Sequence, residues 1–113
     1  MLIGDVGGKD ALIVDDIWGT GTTILNAARK VKESGARRII AAVTHGEFLQ
    51  TETLDSLKEL SESPIETVYV TDSIDHRDEV VEHPKIQVVS IAPLLAEAIK
   101  RTHTGQGLTE LFE

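Results

Sequence analysis

The sequence predicts an α/β fold with a parallel sheet, and three observations carry that prediction. Short apolar runs alternate along the chain with longer segments whose apolar positions repeat at helical spacing. Several of the apolar runs end in polar or acidic residues, which is where ligands bind in open parallel sheets. No internal repeat or low-complexity tract interrupts this order. Such alternation is typical of a parallel sheet with right-handed crossovers.

The first elements are predicted from their local patterns. A short edge strand and a turn are expected over residues 2–10, where an apolar start is broken by Gly4 and followed by Gly-Gly-Lys-Asp. Residues 11–14 are an unbroken apolar run, which favours a strand buried on both faces. A helix is predicted to begin near Thr22, with a threonine as N-cap. It is expected to stop at residues 34–35, because Gly35 can adopt the left-handed conformation that ends helices.

The later elements continue the alternation. A strand is predicted over residues 38–44, a helix over 51–60 and a strand over 67–71. The charged segment 73–85 contains His76 and His83, predicted as surface histidines, and indicates a solvated loop. A final strand is predicted over residues 86–91. The last of about three flanking helices has proline in its first turn, ends near residues 103–105 and presents an apolar stripe of Leu94, Leu95, Ala98 and Ile99.

Length and composition limit the classes of function. A chain of 113 residues is expected to form one domain. With 41% hydrophobic and 27% charged residues it has the composition of a globular protein. The net charge of −8 argues against a nucleic-acid or membrane partner, since either would need a basic surface. The chain has no cysteine, no signal-peptide pattern and no apolar stretch long enough for a membrane span, which favours a cytoplasmic location.

The main functional candidate is the stretch that joins the first strand to the first helix. Asp15 and Asp16 follow the apolar run, and the sequence Ile-Trp-Gly-Thr-Gly-Thr-Thr leads into the helix. A small-residue loop at a helix N-terminus presents backbone N–H groups to an anion such as phosphate. The two carboxylates suit hydroxyl groups or a hydrated cation. The pattern therefore predicts a site for a small phosphorylated polyol.

Three other phosphate-binding architectures fit the residues less well. A Walker A loop ends in lysine and a hydroxyl residue, but no lysine occurs between Lys9 and Lys30. A dinucleotide-binding loop would place its third glycine where this chain has Ile24. A phospho-receiver domain needs an aspartate at a later strand end, and neither Asp55 nor Asp72 fits that position well. A loop that holds a single phosphate remains the favoured interpretation.

The chain resembles a known family in several segments. The run VDDIWGTGTT at residues 14–23 resembles the phosphoribosyl-pyrophosphate (PRPP) motif of type I phosphoribosyltransferase folds. The runs GDV at 4–6, AVTHG at 42–46, VTDSI at 70–74 and VSIAPLLAEAI at 89–99 resemble the carboxy-terminal part of ribose-phosphate pyrophosphokinases, also called PRPP synthetases. The resemblance implies that residues 1–113 correspond to the second half of the carboxy-terminal phosphoribosyltransferase-like domain, with a partial sheet of that type.

The resemblance also implies a substrate and a site. By it, Asp15 and Asp16 contact the ribose hydroxyls of ribose 5-phosphate or PRPP, and the 5-phosphate lies in a loop formed by Gly19, Thr20, Gly21, Thr22 and Thr23. The family transfers a pyrophosphoryl group from Mg·ATP to the C1 hydroxyl, so Mg²⁺ and ATP are implied partners, with most Mg²⁺ ligands outside this chain. It assigns no catalytic or metal-ligating residue here.

The chain departs from the family in its loop and in its length. The family has aspartate where this chain has Gly19 and glycine where it has Thr22, and two serines of a regulatory phosphate site correspond to Gly107 and Thr109. The ATP-binding half, the metal-binding histidine, the pyrophosphate loop and the flexible loop with its catalytic lysine and arginine have no counterpart. We therefore expect weak ligand binding and no catalysis by this chain alone. A non-catalytic binding or assembly module is the alternative.

Two further expectations concern exposed surface and two ambiguous residues. Few helices are available to cover both faces of the sheet, so an exposed apolar face or open edge is expected, which favours a homo-oligomer or a partner chain. His45 is either a structural cap or part of the site. Trp18 is either a lid over the sugar or an interface residue.

Overall fold

The computed structural model describes residues 4–112 as one parallel sheet with helices between its strands. The strands are β1 (Asp10–Trp18), β2 (Arg38–Gly46), β3 (Thr67–Thr71) and β4 (Ile86–Val89). The helices are α1 (Thr22–Glu33), α2 (Ser56–Glu62), α3 (Asp78–Val81) and α4 (Ala92–Thr104), followed by a 3₁₀ turn at Thr109–Phe112. The predicted α/β class and parallel sheet are confirmed.

The strands lie in the sheet in their sequence order, each parallel to the next. When strands are added in order through right-handed crossovers, the crossover helices all lie on one face. The burial agrees, because the core lies between one sheet face and the inner sides of α1 and α2. Its residues include Ile24, Leu25, Ala28, Val31, Ile39, Ala41, Val43, Leu57, Leu60, Val68, Val70 and Ile86.

The opposite face of the sheet has no covering layer among the described residues. Leu12 is 62% exposed and Val14 is 72% exposed. The prediction that residues 11–14 are buried on both faces is therefore wrong for this chain, whereas the expected exposed apolar face is confirmed. We call this surface the open face; the register brings together on it Leu12, Val14, Ile40, Ala42, Tyr69 and Val89.

Helix α4 contributes nothing to the core. None of its residues is buried, and the predicted apolar stripe is exposed, with Ile99 at 70%. The Cα radius of gyration of 16.6 Å exceeds the roughly 13 Å expected for a compact domain of this length. The helix bounds agree with the prediction, since Gly105 has φ +79° at the C-terminal end. The chain thus carries two separate unpartnered apolar surfaces.

Three predicted boundaries near the site differ from the structure. The ladder between β1 and β2 continues to Trp18 and Gly46, so Asp15 and Asp16 lie inside the strand rather than beyond it. Helix α1 begins at Thr22 as predicted, but its N-cap is Gly21 and not a threonine. These differences leave only residues 19–21 as the connecting loop.

Helix α2 begins later than the expected residue 51. The Asp55 carboxylate accepts a hydrogen bond from the Lys58 amide at 3.2 Å and caps the helix. Thr51 instead closes a turn of its own, in which its hydroxyl accepts from the Leu54 amide at 3.0 Å. Thr51 therefore closes a separate turn, and Asp55 is the residue that caps the start of α2.

The segment 73–85 is not the solvated loop that its charge indicated. It contains α3, whose Val80 is buried in the core. His76 and His83 are half-buried, and His83 Nε2 lies 2.9 Å from the Ser61 hydroxyl. The Lys85 ammonium donates to three carbonyl groups at the end of α2, and partial burial lowers its pKa. The segment thus packs against α2.

The amino-terminal prediction is tested only in part. Residues 4–9 form bends and turns rather than a strand, while Leu2 and Ile3 lie outside the described residues. Within residues 4–112, no helix has both the length and the apolar character needed to cross a bilayer.

Candidate functional site

The alternation of more and less exposed residues along β1 and β2 changes phase at the carboxyl end of the sheet. More and less exposed residues alternate as far as Asp15 in one strand and Val43 in the other, and then two exposed residues precede a buried one in each. The ladder skips Asp16 and Thr44 and resumes without a shift in register, with Ile17 paired to His45. The change of phase returns Trp18 to the covered side, where it joins the core.

The loop between β1 and α1 closes tightly over the Trp18 side chain. Gly21 has φ +85°, a left-handed conformation that favours glycine. A Cβ at Gly21 would lie 2.4 Å from the Trp18 indole nitrogen, so no side chain fits there. Gly19 has no such constraint, since a Cβ there would meet only ordinary contacts at 3.8 Å and beyond. Of the two predicted loop glycines, Gly21 is the one that the backbone requires.

Several hydrogen-bond donors around this loop have no acceptor within residues 4–112. The amides of Gly21, Thr23 and Ile24 are unpaired there, as expected for the first turn of a helix. The Thr20 hydroxyl accepts from the Thr22 amide at 3.3 Å and lies 3.1 Å from the Thr22 hydroxyl. The arrangement places amides and hydroxyls together at the positive end of the α1 dipole.

These groups surround a small open cavity of about 90 Å³. That volume is well below the ~300–1,000 Å³ of sites that enclose a whole small molecule. The cavity therefore suits one end of a ligand. Of the predicted site residues it brings together Asp15, Gly19, Thr20, Gly21, Thr22 and Thr23, with Ile17 and Ile24 as further lining residues, whereas Asp16 is not part of the lining.

The two adjacent carboxylates lie in different environments. Asp15 is half-buried and its carboxylate accepts a hydrogen bond from the Asp16 amide at 2.8 Å. Asp16 is exposed. The pKa of Asp16 lies below its ordinary value, first because of a hydrogen bond with the Asp15 carboxyl, then because of backbone amides and the charge of His45. Asp16 therefore stays ionised at neutral pH beside the loop.

Residues 47–49, directly after β2, hold the loop from the other side. The amides of Glu47 and Phe48 donate to the Trp18 carbonyl at 2.9 and 3.1 Å, and the Leu49 amide donates to the Gly19 carbonyl at 2.9 Å. Phe48 is buried and its ring centroid lies 5.4 Å from that of Trp18. Sequence reasoning missed this support, and its one local signal is the large apolar residue just after the strand. Trp18 is thus neither a lid nor an interface residue but the core beneath the loop.

A second group of polar contacts lies along the same edge of the sheet, at the carboxyl ends of β2 and β3. The Thr71 hydroxyl donates to the Thr44 carbonyl at 2.6 Å, and His45 Nδ1 lies 2.6 Å from the Ser73 hydroxyl. His45 therefore has a structural partner, although it remains exposed at the site edge.

Asp72 links β3 to the start of α4. Its carboxylate accepts from the Ile91 amide at 2.9 Å, and this backbone hydrogen bond is the main reason why the pKa of Asp72 is lowered. The carboxyl ends of the strands are therefore tied together beside the loop.

The fit of a divalent cation depends on two carboxylates. In the part of the chain that the structure describes, no three acidic, histidine or cysteine side chains converge. Mg²⁺ in phosphate-transfer sites is often held by one or two carboxylates together with substrate phosphates. Asp15 and Asp16 fit that arrangement but not a cage built by the protein alone.

The chain is similar to known proteins over nearly its whole length. Residues 1–113 match the family model described as the phosphoribosyl synthetase-associated domain. Ribose-phosphate pyrophosphokinase of Thermosipho africanus (strain TCF52B) is 41% identical over 98% of this chain and 33% of its own length. Phosphoribosyl pyrophosphate synthase-associated protein 2 of Homo sapiens is 40% identical over 98% of this chain and 29% of its own.

A solved structure shares the fold. The crystal structure of phosphoribosylpyrophosphate synthetase from Mycobacterium smegmatis superposes with a TM-score of 0.82 and 34% identity, over 91% of this chain and 33% of that one. The chain spans about one third of the length of these relatives.

Proposed function

The chain belongs to the phosphoribosyl synthetase-associated domain family, and from this premise we propose that it binds ribose 5-phosphate or PRPP through the loop after β1. It supplies the ribose 5-phosphate end of a ribose-phosphate pyrophosphokinase and does not catalyse the transfer alone. A cytoplasmic location and correspondence to the second half of the carboxy-terminal domain remain predictions.

The observation that carries the proposal is the set of unpaired amides around the 90 Å³ cavity. A phosphate bound there would accept from the amides of Gly21, Thr23 and Ile24 and would lie at the positive end of the α1 dipole. The threonine hydroxyls supply further donors once the contact between Thr20 and Thr22 opens. The cavity has room for the phosphate and leaves the sugar outside it, facing the carboxylates.

The two aspartates support recognition of the sugar. An ionised carboxylate accepts hydrogen bonds from hydroxyl groups, and a pair beside the phosphate loop suits two neighbouring ribose hydroxyls. The same carboxylates would hold Mg²⁺ when a substrate phosphate supplies the other ligands, and the cation would then neutralise phosphate charge.

Catalysis by this chain alone is not expected. Phosphoryl-type transfer depends on cations that neutralise the transferring group. None of the residues lining the cavity is basic. ATP is therefore a partner only when the remaining two thirds of the synthetase length is supplied by another segment or chain.

Amide-resolved NMR titration with ribose 5-phosphate tests the binding. We expect a dissociation constant on the order of 1 mM, about −4 kcal/mol, with the largest shifts at the amides of residues 20–24. Inorganic phosphate should compete and ribose without phosphate should not. Asp15→Asn should weaken binding of ribose 5-phosphate about fivefold while leaving inorganic phosphate unchanged, because one carboxylate contact to the sugar is lost. Asp78→Asn, an exposed change in α3, is the matched control.

Two results would contradict this part of the proposal. One is an absence of shifts at residues 20–24 at saturating ribose 5-phosphate. The other is equal binding by wild type and Asp15→Asn. Release of AMP from ATP and ribose 5-phosphate by the purified chain would contradict the claim that it is inactive alone.

A non-catalytic binding or assembly module is the second candidate. It is favoured by the similarity to synthase-associated proteins, which are 40% and 39% identical to this chain, within the 38–41% of the pyrophosphokinases. It is also favoured by the two loop departures, Gly19 and Thr22. Binding of partner chains without any shift on adding ribose 5-phosphate would support this candidate over the first.

A further inference from the structure

We propose that Arg77 is a positioning residue of the phosphate-binding loop and acts on it through residues 47–49. The inference rests on the proposed function, because it concerns the same site. Arg77 does not line the cavity, so it acts on a bound phosphate only through the backbone that it holds. Every contact that carries the inference lies within this chain.

The 47–49 segment has a strained backbone at its centre. Phe48 has φ +45°, and among residues 4–112 it is the only residue other than glycine with a positive φ. A side chain disfavours that region, so the conformation persists only where the surroundings impose it. On one side the core imposes it. The Phe48 ring is completely buried and folds back over Gly46, where an added Cβ would collide with the ring.

The Arg77 guanidinium holds the same segment from the other side. Its Nη2 donates to the Phe48 carbonyl at 2.7 Å, and its Nη1 donates to the Glu47 carbonyl at 3.4 Å. Within the described residues no other donor reaches either carbonyl. The arginine thus forks across two successive peptide groups, which a planar guanidinium can do and a lysine ammonium does not reproduce.

The two peptide groups that Arg77 holds are the ones that hold the loop. The peptide group between Glu47 and Phe48 gives its carbonyl to Arg77 and its amide to the Trp18 carbonyl, at 3.1 Å. The next peptide group gives its carbonyl to Arg77 and, through the Leu49 amide, a hydrogen bond to the loop carbonyl of residue 19 at 2.9 Å. Each peptide group is therefore fixed at both ends. Rotation of either one would break its contact with the loop.

The backbone that carries Arg77 is itself anchored. The Arg77 carbonyl accepts from the amide of Val80, the buried residue of α3, at 3.0 Å. The preceding residue, His76, has its Nε2 2.8 Å from the Thr71 carbonyl at the end of β3. Its ring centroid lies 6.4 Å from that of Phe48. The guanidinium is thus a fixed link between the end of β3 and the loop after β1.

The geometry of the guanidinium matters here more than its charge. In the described part of the chain its one carboxylate neighbour is Glu79, whose Oε2 lies 3.9 Å from Arg77 Nε. The Glu79 side chain is 69% exposed, and an exposed pair at that distance contributes little. The close contacts of Arg77 are the two carbonyl groups. A residue that keeps the charge without the fork should therefore not replace it.

NMR titrations of Arg77→Lys and Arg77→Met test the proposal. Both variants should bind ribose 5-phosphate at least about fivefold more weakly than the wild type, because the loop amides lose their alignment. Inorganic phosphate should be weakened by the same factor, since those amides contact the phosphate, whereas Asp15→Asn should affect ribose 5-phosphate alone. Arg37→Lys and Arg37→Met are the matched controls and should bind as the wild type does. Arg37 forks onto Asp10 at 2.9 and 3.0 Å at the opposite edge of the sheet.

Hydrogen exchange without ligand separates positioning from a general loss of structure. The amides of Phe48 and Leu49 should exchange faster in both Arg77 variants, while the amides within β2 should keep their wild-type rates. Folding should persist, because the Arg77 side chain is 36% exposed and outside the core. Faster exchange throughout the sheet would assign Arg77 a merely structural role and overturn the inference.

The outcomes also distinguish this inference from the proposed function. A wild type that shows no shifts at residues 20–24 overturns the proposed function, and this inference with it. A wild type that binds while Arg77→Lys and Arg77→Met bind equally well overturns this inference alone. Full binding by Arg77→Lys with weak binding by Arg77→Met would show that the charge acts and not the fork, and it would overturn the inference as well.

Discussion

Replacing Gly21 with alanine tests the packing of the site loop on the tryptophan beneath it. The added Cβ would lie 2.4 Å from the Trp18 indole nitrogen and 2.6 Å from the adjoining ring carbon. The backbone at Gly21 also has φ +85°, which side chains disfavour. The substitution therefore imposes two costs, one conformational and one steric.

The size of the effect follows from these two terms. The left-handed conformation costs an L-residue about 1–2 kcal/mol. Overpacking against a buried ring costs about 1–3 kcal/mol more. A loss of ~3 kcal/mol is a large part of the ~6–17 kcal/mol expected for a domain of 113 residues. It corresponds to a fall in melting temperature of about 12–24 °C.

Gly105→Ala separates the two terms. Gly105 has φ +79°, close to that of Gly21, but an added Cβ would meet nothing within 4 Å. It should therefore show the conformational cost alone. We would measure urea unfolding of both variants by circular dichroism. Equal losses of stability would refute the packing of Trp18 against the loop, whereas a further loss in Gly21→Ala supports it.

Two other predictions concern acid stability and helix capping. The carboxyl pKa of Asp10 is lowered chiefly by the Arg37 guanidinium and that of Asp72 by a backbone amide, so both folded values lie below the unfolded value of 3.8. The stabilisation that these two ionised carboxylates give the folded state is complete above pH 3.8 and is lost as the pH falls through their folded pKa values. The melting temperature should therefore drop below pH ~4, and it should drop less steeply in Asp10→Asn. A rise of the melting temperature on acidification would contradict this. Removing the α2 cap by Asp55→Ala should cost about 1 kcal/mol in urea unfolding, against less than ~0.5 for the control Asp78→Ala, and equal losses would refute the cap.

The order of strands and helices could be predicted because apolar periodicity is a local property. The ends of elements depended on interactions that the pattern does not contain. Asp15 and Asp16 looked like the end of a strand, yet β1 continues to Trp18, because Asp15 and Ile17 on either side of Asp16 both pair with β2. Helix α3 was missed because the segment is rich in charged residues. Its one buried residue, Val80, is held by contacts with residues distant in sequence, which a local pattern does not show.

The residues that form the candidate site were more predictable than the buried residues that pack beneath its loop. The small residues and acids of the loop are adjacent in sequence, so their chemistry could be recognised directly. The role of Trp18 depended on the change of phase at the end of β1 and on Phe48, thirty residues later in the chain. No local pattern could show that an aromatic residue in a polar loop would be fully buried.

Because Trp18 is the single tryptophan, the chain carries its own optical reporter. The indole is completely buried, its nitrogen has no hydrogen-bond partner in the described part of the chain, and it touches the loop from below. Its emission should be blue-shifted in the folded protein and should respond when the loop moves. A spectrum of the unmodified protein can therefore follow loop movement and unfolding, with no added dye and no engineered label.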